Sequence, residues 1–314
     1  MTRVAAFDCG TNSLRLLIAD VSAEGTLTDV EREMTVVRLG QGVDRTGEFA
    51  AEALERTLAT TADYAARCRA AGVERMRFVA TSATRDARNR DAFIEGVRDL
   101  LGISPEVISG EEEARLSFRG ALSVLDASHP GPCLVVDLGG GSTELVLGQD
   151  APRAAHSMDV GCVRMTERHL REDPPAQESV DAAIADIRTA LDAAARDVPL
   201  GEARTVVGLA GSITTVTANA LGLDRYDPAA INGAVLGVDA AIDSCTALLT
   251  ATRAERAALP FMHPGRVDVI GAGALVWRTV LERVRDEVRA AGGELETVVT
   301  SEHDILDGIA LSLA

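Results

Sequence analysis

Two acidic, glycine-containing turns carry residue types that bind phosphate. The first is Asp8-Cys-Gly-Thr-Asn-Ser13, and the second is Asp137-Leu-Gly-Gly-Gly-Ser-Thr-Glu144. Glycine lets backbone N–H groups approach an anion closely, and hydroxyl and amide side chains donate further hydrogen bonds. Asp8 and Asp137 cannot donate in this way, so they indicate a metal ion or an oriented water molecule. The phosphate-binding candidates in the two turns are Gly10, Thr11, Asn12, Ser13, Gly139, Gly140, Gly141, Ser142 and Thr143.

Each turn lies between two apolar runs that are typical of buried strands. Val4–Phe7 and Leu14–Ile18 flank the first turn, and Leu134–Val136 and Leu145–Leu147 flank the second. An ordinary β-hairpin remains an alternative for each turn alone, because Asp, Asn, Ser and Gly are common turn formers. The recurrence of the whole unit favours a duplicated fold half and a two-part phosphate clamp. Neither turn has the spacing of a Walker loop or a Rossmann fingerprint.

The other patterns predict an α/β protein with a mixed sheet in each half. Further strands are predicted at 36–39, 78–80, 133–137, 144–148, 153–159 and 205–209, and helices at 50–70, 163–171 and 180–196, from Gly211, and over much of 238–291. Pro130-Gly-Pro132 interrupts the chain before the second turn. We therefore predict domain I at 1–128 and domain II at 129–301, with a last helix at 302–314 that returns to domain I. Ser301–Asp304 fits a capping box for that helix.

Composition limits the classes of function. The chain has 314 residues, of which 46% are hydrophobic and 3% aromatic, and a net charge of −17. This charge argues against generic nucleic-acid or membrane binding, so any anion site must be local and use a few arginines and a divalent cation. Five cysteines without a Cys-x-x-Cys pair, and no signal peptide or membrane-spanning run, predict a reduced, cytoplasmic protein. A homodimer is left open.

Three consecutive glutamates at a predicted helix start have different expected roles. Ser109 and Glu112 fit a capping box, and Glu111 stands four residues before Arg115, the spacing of a surface ion pair. Glu113 has no partner within the helix, so a general base and a solvated helix face are both consistent with it. Among the arginines, Arg15 and Arg85 are placed to reach a phosphate. Arg266 fits a capping or ion-pair role equally well.

Five segments together resemble the exopolyphosphatase and guanosine pentaphosphate phosphohydrolase (Ppx/GppA) family. They are Asp8–Leu16, Thr81–Arg85, Ser109–Leu116, Asp137–Glu144 and Gly211-Ser212. The ending Ser301–Gly308 is similar to that of short actinobacterial-type members. The resemblance implies two ribonuclease-H-like domains of the actin, Hsp70 and sugar-kinase superfamily with a cleft between them, and a final helix that crosses back to the first.

The same resemblance implies roles for individual residues. It makes Glu113 the catalytic glutamate that positions or deprotonates water, and it puts Asp137 in the catalytic set. Asp137, Glu144 and Asp8 become candidate ligands of Mg²⁺. Arg15 and Arg266 become candidates for recognising guanosine tetra- or pentaphosphate. The phosphate-binding set implied is Asp8, Gly10, Thr11, Asn12, Ser13, Arg15, Thr81, Ser82, Arg85, Gly139, Gly140, Gly141, Ser142, Thr143, Gly211 and Ser212.

The implied activity is release of terminal phosphate from inorganic polyphosphate, guanosine pentaphosphate or both. Longer family members have additional carboxy-terminal domains that hold extended polyphosphate. With the negative charge of this sequence, that difference favours short chains. A non-hydrolytic sensor of guanosine penta- or tetraphosphate and an ATP-dependent phosphotransferase remain the alternatives, since related folds host many activities.

Overall fold

A computed structural model describes residues 1–22, 26–126 and 128–313. The chain divides into two compact units, residues 1–120 with the segment from Ile305, and residues 121–304. The division thus falls eight residues before the predicted position of 128, and the returning segment begins at 305 instead of 302.

Unit 1 contains a five-stranded mixed sheet in the order β3-β2-β1-β4-β5. β1 pairs antiparallel with β2 and parallel with β4, so the chain reverses at the first acidic turn and later returns beside the same strand. The strands are β1 Thr2–Cys9, β2 Ser13–Val21, β3 Leu27–Val36, β4 Arg75–Ala80 and β5 Glu106–Val107.

Helices cover both faces of this sheet. Alternate residues in the middle of β1 point to opposite faces, and both sets are apolar and buried. Ala5 and Phe7 pack in one apolar cluster with residues of the second and fourth helices, whereas Val4 and Ala6 belong to another cluster. The helices are α1 Val43–Thr46, α2 Ala51–Ala71, α3 Ser82–Asp86, α4 Arg90–Leu101 and α5 Gly110–Ala121.

Unit 2 repeats the topology and adds one edge strand, with the order β10-β11-β9-β6-β7-β8. β6 pairs antiparallel with β7 and parallel with β9, as β1 pairs with β2 and β4. The strands are β6 Cys133–Leu138, β7 Thr143–Gly148, β8 Pro152–Met158, β9 Thr205–Leu209, β10 Val235–Gly237 and β11 Thr297–Ser301. The prediction of a duplicated fold half is confirmed by this repeated strand topology.

The core of unit 2 contains aliphatic side chains and the buried Trp277. The helices are α6 Cys162–Arg168, α7 Gln177–Asp197, α8 Ala210–Ala220, α9 Pro228–Ile231, α10 Val238–Thr250, α11 Arg253–Ala258 and α12 Ile270–Ala290. Single 3₁₀ turns lie at Leu122–Val124, Leu200–Glu202 and Pro264–Arg266.

The last helix, α13 Ile305–Leu311, packs on β1 and β2 of unit 1. Ile305 and Ile309 share an apolar cluster with Val4 and Leu116. Within the described ranges no helix has both the length and the apolar character needed to cross a bilayer.

Two local predictions were wrong, and a third was correct only in part. The strand predicted at 36–39 ends at Val36, because Arg38 takes a left-handed φ of 53° and the buried Val37 and Leu39 belong to a loop. Ser301 does not cap α13; it ends β11, and its hydroxyl bonds with the backbone of His303. Only half of the Ser109 capping box is present.

In that half, the Ser109 hydroxyl accepts the Glu112 N–H at 3.2 Å, as predicted. The Glu112 carboxylate accepts from Arg77 at 2.6 Å instead of closing the box. The predicted surface pair of Glu111 with Arg115 is confirmed.

Candidate active site

The first turn joins β1 to β2 and is held from two sides. The Gly10 N–H donates to the Ser13 carbonyl at 3.0 Å, which closes the turn. The hydroxyls of Thr11 and Ser82 lie 2.9 Å apart, and both side chains are buried. The residues of the first turn and of the segment that begins at Thr81 are therefore brought together, as a phosphate site in this unit requires. The buried Oδ1 of Asn12 has no hydrogen-bond partner among the described residues.

Asp8 and Arg15 form an ion pair across the antiparallel strands. They are register partners of β1 and β2, so their side chains lie on the same face of the sheet. Arg15 donates to Asp8 Oδ2 from Nε at 2.9 Å, and its Nη2 lies 2.7 Å from the same oxygen. The sequence-based expectation had given Asp8 to a metal and Arg15 to phosphate. In the structure each has the other as a partner.

Glu113 lies in the first turn of α5 and contacts Arg85 of α3. Arg85 Nη1 donates to Glu113 Oε2 at 2.8 Å and also to the Ile108 carbonyl at 2.9 Å. The sequence had shown no partner for Glu113, because 28 residues separate the two side chains. Arg85 thus connects Ile108, two residues before α5, to the Glu113 carboxylate within the helix.

Burial away from water raises the pKa of Glu113 to about 7, from an ordinary value of 4.5. The charge and hydrogen bond of Arg85 favour the ionised carboxylate and oppose this rise, as does the Thr81 hydroxyl, whereas the negative charge of Asp8 adds to it. A carboxylate with this pKa gains and loses a proton near neutral pH, which suits a general base.

The second turn joins β6 to β7 and has the same closing bond, from the Gly139 N–H to the Ser142 carbonyl at 3.0 Å. The start of α6 packs directly on it. The N–H groups of Cys162 and Val163 donate to the carbonyls of Gly139 and Gly140 at 3.0 and 2.8 Å. These bonds fix the glycine turn in place.

Two residues that the sequence analysis had not singled out complete this turn. A Cβ at Gly161 would lie 2.5 Å from the carbonyl carbon and oxygen of Gly140, so only glycine permits this approach. Arg164 Nε donates to the Gly141 carbonyl at 2.6 Å, and its side chain is 10% exposed. The signal available in the sequence was a glycine between a strand and a helix, at Val160-Gly-Cys162.

Asp137 and Glu144 are register partners of β6 and β7, at positions equivalent to Asp8 and Arg15. Both are buried, and Glu144 Oε1 accepts from the Ser157 hydroxyl at 2.7 Å. In the described part of the chain no group of three or more His, Cys, Asp or Glu residues is arranged to hold a metal. Two buried carboxylates on one sheet face still fit Mg²⁺, which takes one or two carboxylates and completes its shell with phosphate oxygens and water.

Gly211 and Ser212 are the second and third residues of α8, which directly follows β9. Ala210, which precedes them, has a left-handed φ of 69°, a conformation that costs a non-glycine residue energy and that often occurs at functional sites. The Arg266 guanidinium lies against Gly211 and donates to the Thr215 hydroxyl at 3.2 Å. The sequence had not connected Arg266 with this segment, which lies more than 50 residues earlier in the chain.

Tyr226 adds a partner for Arg266 that the sequence did not indicate. The guanidinium carbon lies 5.7 Å from the centre of the Tyr226 ring, a cation–π distance. The Tyr226 hydroxyl donates to Glu302 Oε1 at 2.6 Å, and burial together with that carboxylate raises the pKa of Tyr226 to about 12. The ring is thus neutral and fixed beside the arginine.

Residues 17–302 match the Ppx/GppA phosphatase family. The chain belongs to this family. Exopolyphosphatase 2 of Mycobacterium tuberculosis is 53% identical to it, over 100% of this chain and 99% of the relative. The Ppx/GppA chain described here is therefore a phosphohydrolase, as its segments had predicted.

Two further relatives extend the comparison. The crystal structure of an exopolyphosphatase-like protein has 48% identity and a TM-score of 0.97, and it covers 100% of this chain and 98% of its own. A guanosine-5'-triphosphate,3'-diphosphate pyrophosphatase of Photobacterium profundum is 34% identical over 67% of this chain and 42% of its own length. Both branches of the Ppx/GppA family are thus represented among the similar proteins.

Proposed function

We propose that the chain hydrolyses the terminal phosphoanhydride bond of inorganic polyphosphate, preferably of short chains, with the 5′-γ-phosphate of guanosine pentaphosphate as a second substrate. The observation that carries this proposal is the buried Glu113 carboxylate, whose pKa of about 7 suits proton transfer at neutral pH. The names of the relatives, an exopolyphosphatase and a guanosine pentaphosphate pyrophosphatase, support the choice of substrates.

Glu113 is the proposed general base. Its ionised carboxylate accepts a proton from water while the water oxygen attacks the terminal phosphorus. The new P–O bond forms as the bond to the bridging oxygen breaks, and the shortened chain leaves with the electron pair of that bond. Glu113 then returns the proton to solvent. Arg85 supports this role, because its hydrogen bond at 2.8 Å holds the carboxylate in one orientation.

The two glycine-containing turns are the proposed phosphate-binding elements. Phosphoryl transfer depends more on positioning and charge neutralisation than on covalent catalysis by the protein. In unit 1 the proposed donors are Gly10 to Ser13, Thr81 and Ser82; in unit 2 they are Gly139 to Thr143, Gly211 and Ser212. Arg15 and Arg266 are proposed to favour the binding of guanosine nucleotides. Arg15 would leave its ion pair with Asp8 and bind a phosphate oxygen instead. Arg266 would bind while its guanidinium stays packed on the Tyr226 ring.

Mg²⁺ is the proposed cofactor, with Asp137 and Glu144 as its protein carboxylates. When bound, it would neutralise negative charge on the phosphate oxygens and so favour attack by a nucleophile. Asp8 remains a predicted third ligand of Mg²⁺. Because its Oδ2 already pairs with Arg15, we expect Asp8 to contribute less to Mg²⁺ binding than the other two carboxylates.

The direct test is phosphate release with Mg²⁺ from short polyphosphate and from guanosine pentaphosphate. The native chain, Glu113→Ala and Glu113→Gln are compared side by side. We expect both variants to lose about 10²- to 10⁴-fold in kcat, the usual contribution of a general base. Nucleotide binding, measured by calorimetry, should persist in the variants. The faster substrate of the native chain identifies its main activity.

Glu111→Gln is the matched control. This substitution makes the same chemical change two residues away, on the exposed side of α5. It should keep native turnover. Release that survives in Glu113→Gln would refute the base assignment. Tight nucleotide binding by a native chain that releases nothing would favour the sensor, and transfer from ATP to an acceptor would favour the phosphotransferase.

A further inference from the structure

We propose that the carboxy-terminal segment from Asp307 to Ser312 is a positioning device for Glu113, with Gly308 as its central contact. The proposal rests on the proposed role of Glu113 as general base. It concerns residues of unit 1 only, and it derives from three contacts between this segment and the structure around α5.

The first contact is between backbones. A Cβ at Gly308 would overlap the Leu116 carbonyl oxygen and lie 2.8 Å from its carbonyl carbon. Leu116 is part of α5 and follows Glu113 by three residues, so the two lie on neighbouring positions of one helix face. The absence of a side chain at Gly308 therefore sets how closely α5 approaches α13.

The second contact anchors α13 so that Gly308 reaches this position. Arg32 of β3 donates from both terminal nitrogens to the two carboxylate oxygens of Asp307, with Nη1 at 3.2 Å from Oδ2. Asp307 is 4% exposed. A two-point arginine–carboxylate pair with little solvent access fixes both direction and distance. Asp307 precedes Gly308, so the pair fixes the point where α13 meets α5.

The third contact reaches α5 on the other side of Glu113. Arg77 of β4 donates from Nη1 to the Ser312 hydroxyl at 3.0 Å and from Nη2 to Glu112 Oε1 at 2.6 Å. Glu112 is the residue directly before Glu113. The carboxy-terminal segment thus holds α5 at Leu116 by packing and at Glu112 through Arg77, with Glu113 between the two points.

The consequence is that α5 cannot shift without disturbing these contacts, and Glu113 moves with α5. A displacement of about 1 Å at a catalytic group can lower turnover on the order of 100-fold. Gly308 touches neither substrate nor water in this scheme. Its effect should therefore appear in kcat and leave KM nearly unchanged.

The test uses the full chain and measures phosphate release from short polyphosphate with Mg²⁺. We expect Gly308→Ala to lower kcat roughly 10- to 100-fold with little change in KM. Gly237→Ala is the matched control: it makes the same atomic change at a glycine with no other atom within 4 Å of the added carbon. It should keep native kcat. Hydrogen exchange across 110–121 should rise in Gly308→Ala and stay native in Gly237→Ala.

A second pair of variants keeps the test decisive if Gly308→Ala does not fold. Ser312→Ala removes the bond to Arg77 and should lower kcat about two- to tenfold, whereas Ser312→Thr keeps the hydroxyl and should restore it. A folded Gly308→Ala with native kcat overturns the proposal. So does native kcat in Ser312→Ala when Gly308→Ala is unfolded.

Glu113→Gln, measured in the same assay, separates the two proposals. Its inactivity together with native kcat in the carboxy-terminal variants refutes only the positioning role. Full activity of Glu113→Gln refutes the base assignment, and the positioning role is then refuted with it.

Discussion

At the residue scale, the proposed role of Glu113 as a general base comes with a cost in stability. Burial raises its pKa to about 7, although Arg85 donates to it directly. Between its ordinary pKa of 4.5 and 7, the folded state therefore binds a proton that the unfolded state has released. The contribution of Glu113 to the free energy of unfolding is therefore largest below pH 4.5, and it is lost as the pH rises through 7. Its size is on the order of 3 kcal/mol.

Two opposite pH dependences follow from this one group. The proposed mechanism needs the ionised carboxylate, so log kcat/KM should rise with pH on the acidic side and level off above about 7. The stability of the native chain should fall over the same interval. Turnover and denaturant unfolding, both measured from pH 5 to pH 8.5, check the two trends.

Glu113→Gln serves as the control for both trends. A neutral amide cannot titrate, so its stability should lack the component that falls through pH 7, and the variant should equal or exceed the native chain in stability at pH 8. If the native chain instead gains stability between pH 5 and pH 8 relative to Glu113→Gln, the raised pKa is wrong.

At the element scale, the glycine turn between β6 and β7 depends on how closely α6 can approach it. Gly161→Ala would put a Cβ 2.5 Å from the Gly140 carbonyl and push the start of α6 off the turn. Because Cys162 and Val163 donate to that turn, its backbone groups should lose their fixed orientation. We expect KM for short polyphosphate to rise at least about tenfold and thermal stability to fall, as overpacking typically costs about 1–3 kcal/mol.

The open-space variant Gly237→Ala again provides the comparison, since it should leave KM and thermal stability unchanged. Native KM in a folded Gly161→Ala would mean that this turn does not hold substrate phosphate.

The elements that the sequence predicted well are those in which one short segment contains all the information. β1, β2, β6 and β7 are apolar runs joined by turn-forming residues, so their existence and pairing could be inferred from local pattern. β3 was missed because it is an edge strand with no fully buried residue and with polar residues at many positions. The apolar Val37 and Leu39 led to the opposite error, a strand predicted where the structure has a loop. Buried residues of a loop give the same alternating apolar pattern as buried residues of a strand.

The candidate site shows the same division between local and long-range information. The Asp8 to Ser13 and Asp137 to Glu144 turns could be found because their residues are adjacent in sequence. The pairs Arg85 with Glu113 and Arg266 with Tyr226 join residues far apart in the chain, which no spacing rule connects. Gly161 and Gly308 matter because they have no side chain, and only the positions of the neighbouring backbones show that a Cβ would not fit there.

At the scale of the whole molecule, the net charge of −17 supports the proposed preference for short polyphosphate. The proposed phosphate-binding turns and arginines would provide local attraction, but a long polyanion would also be repelled by the net negative charge of the protein. At physiological ionic strength this repulsion acts within about 8 Å and is stronger at low salt. Under this proposal, a long chain would gain little binding energy from its additional phosphates.

We expect kcat/KM to stay level or fall as polyphosphate length increases from a few phosphates to hundreds, and the disadvantage of long chains to shrink when salt is added. Phosphate release from chains of defined length, at low and at physiological ionic strength, measures both effects. Guanosine pentaphosphate is the internal comparison, because its compact charge should make it less sensitive to salt than long polyphosphate. A steep rise of kcat/KM with length would require a surface that attracts the whole polymer, and it would contradict the proposed preference for short chains.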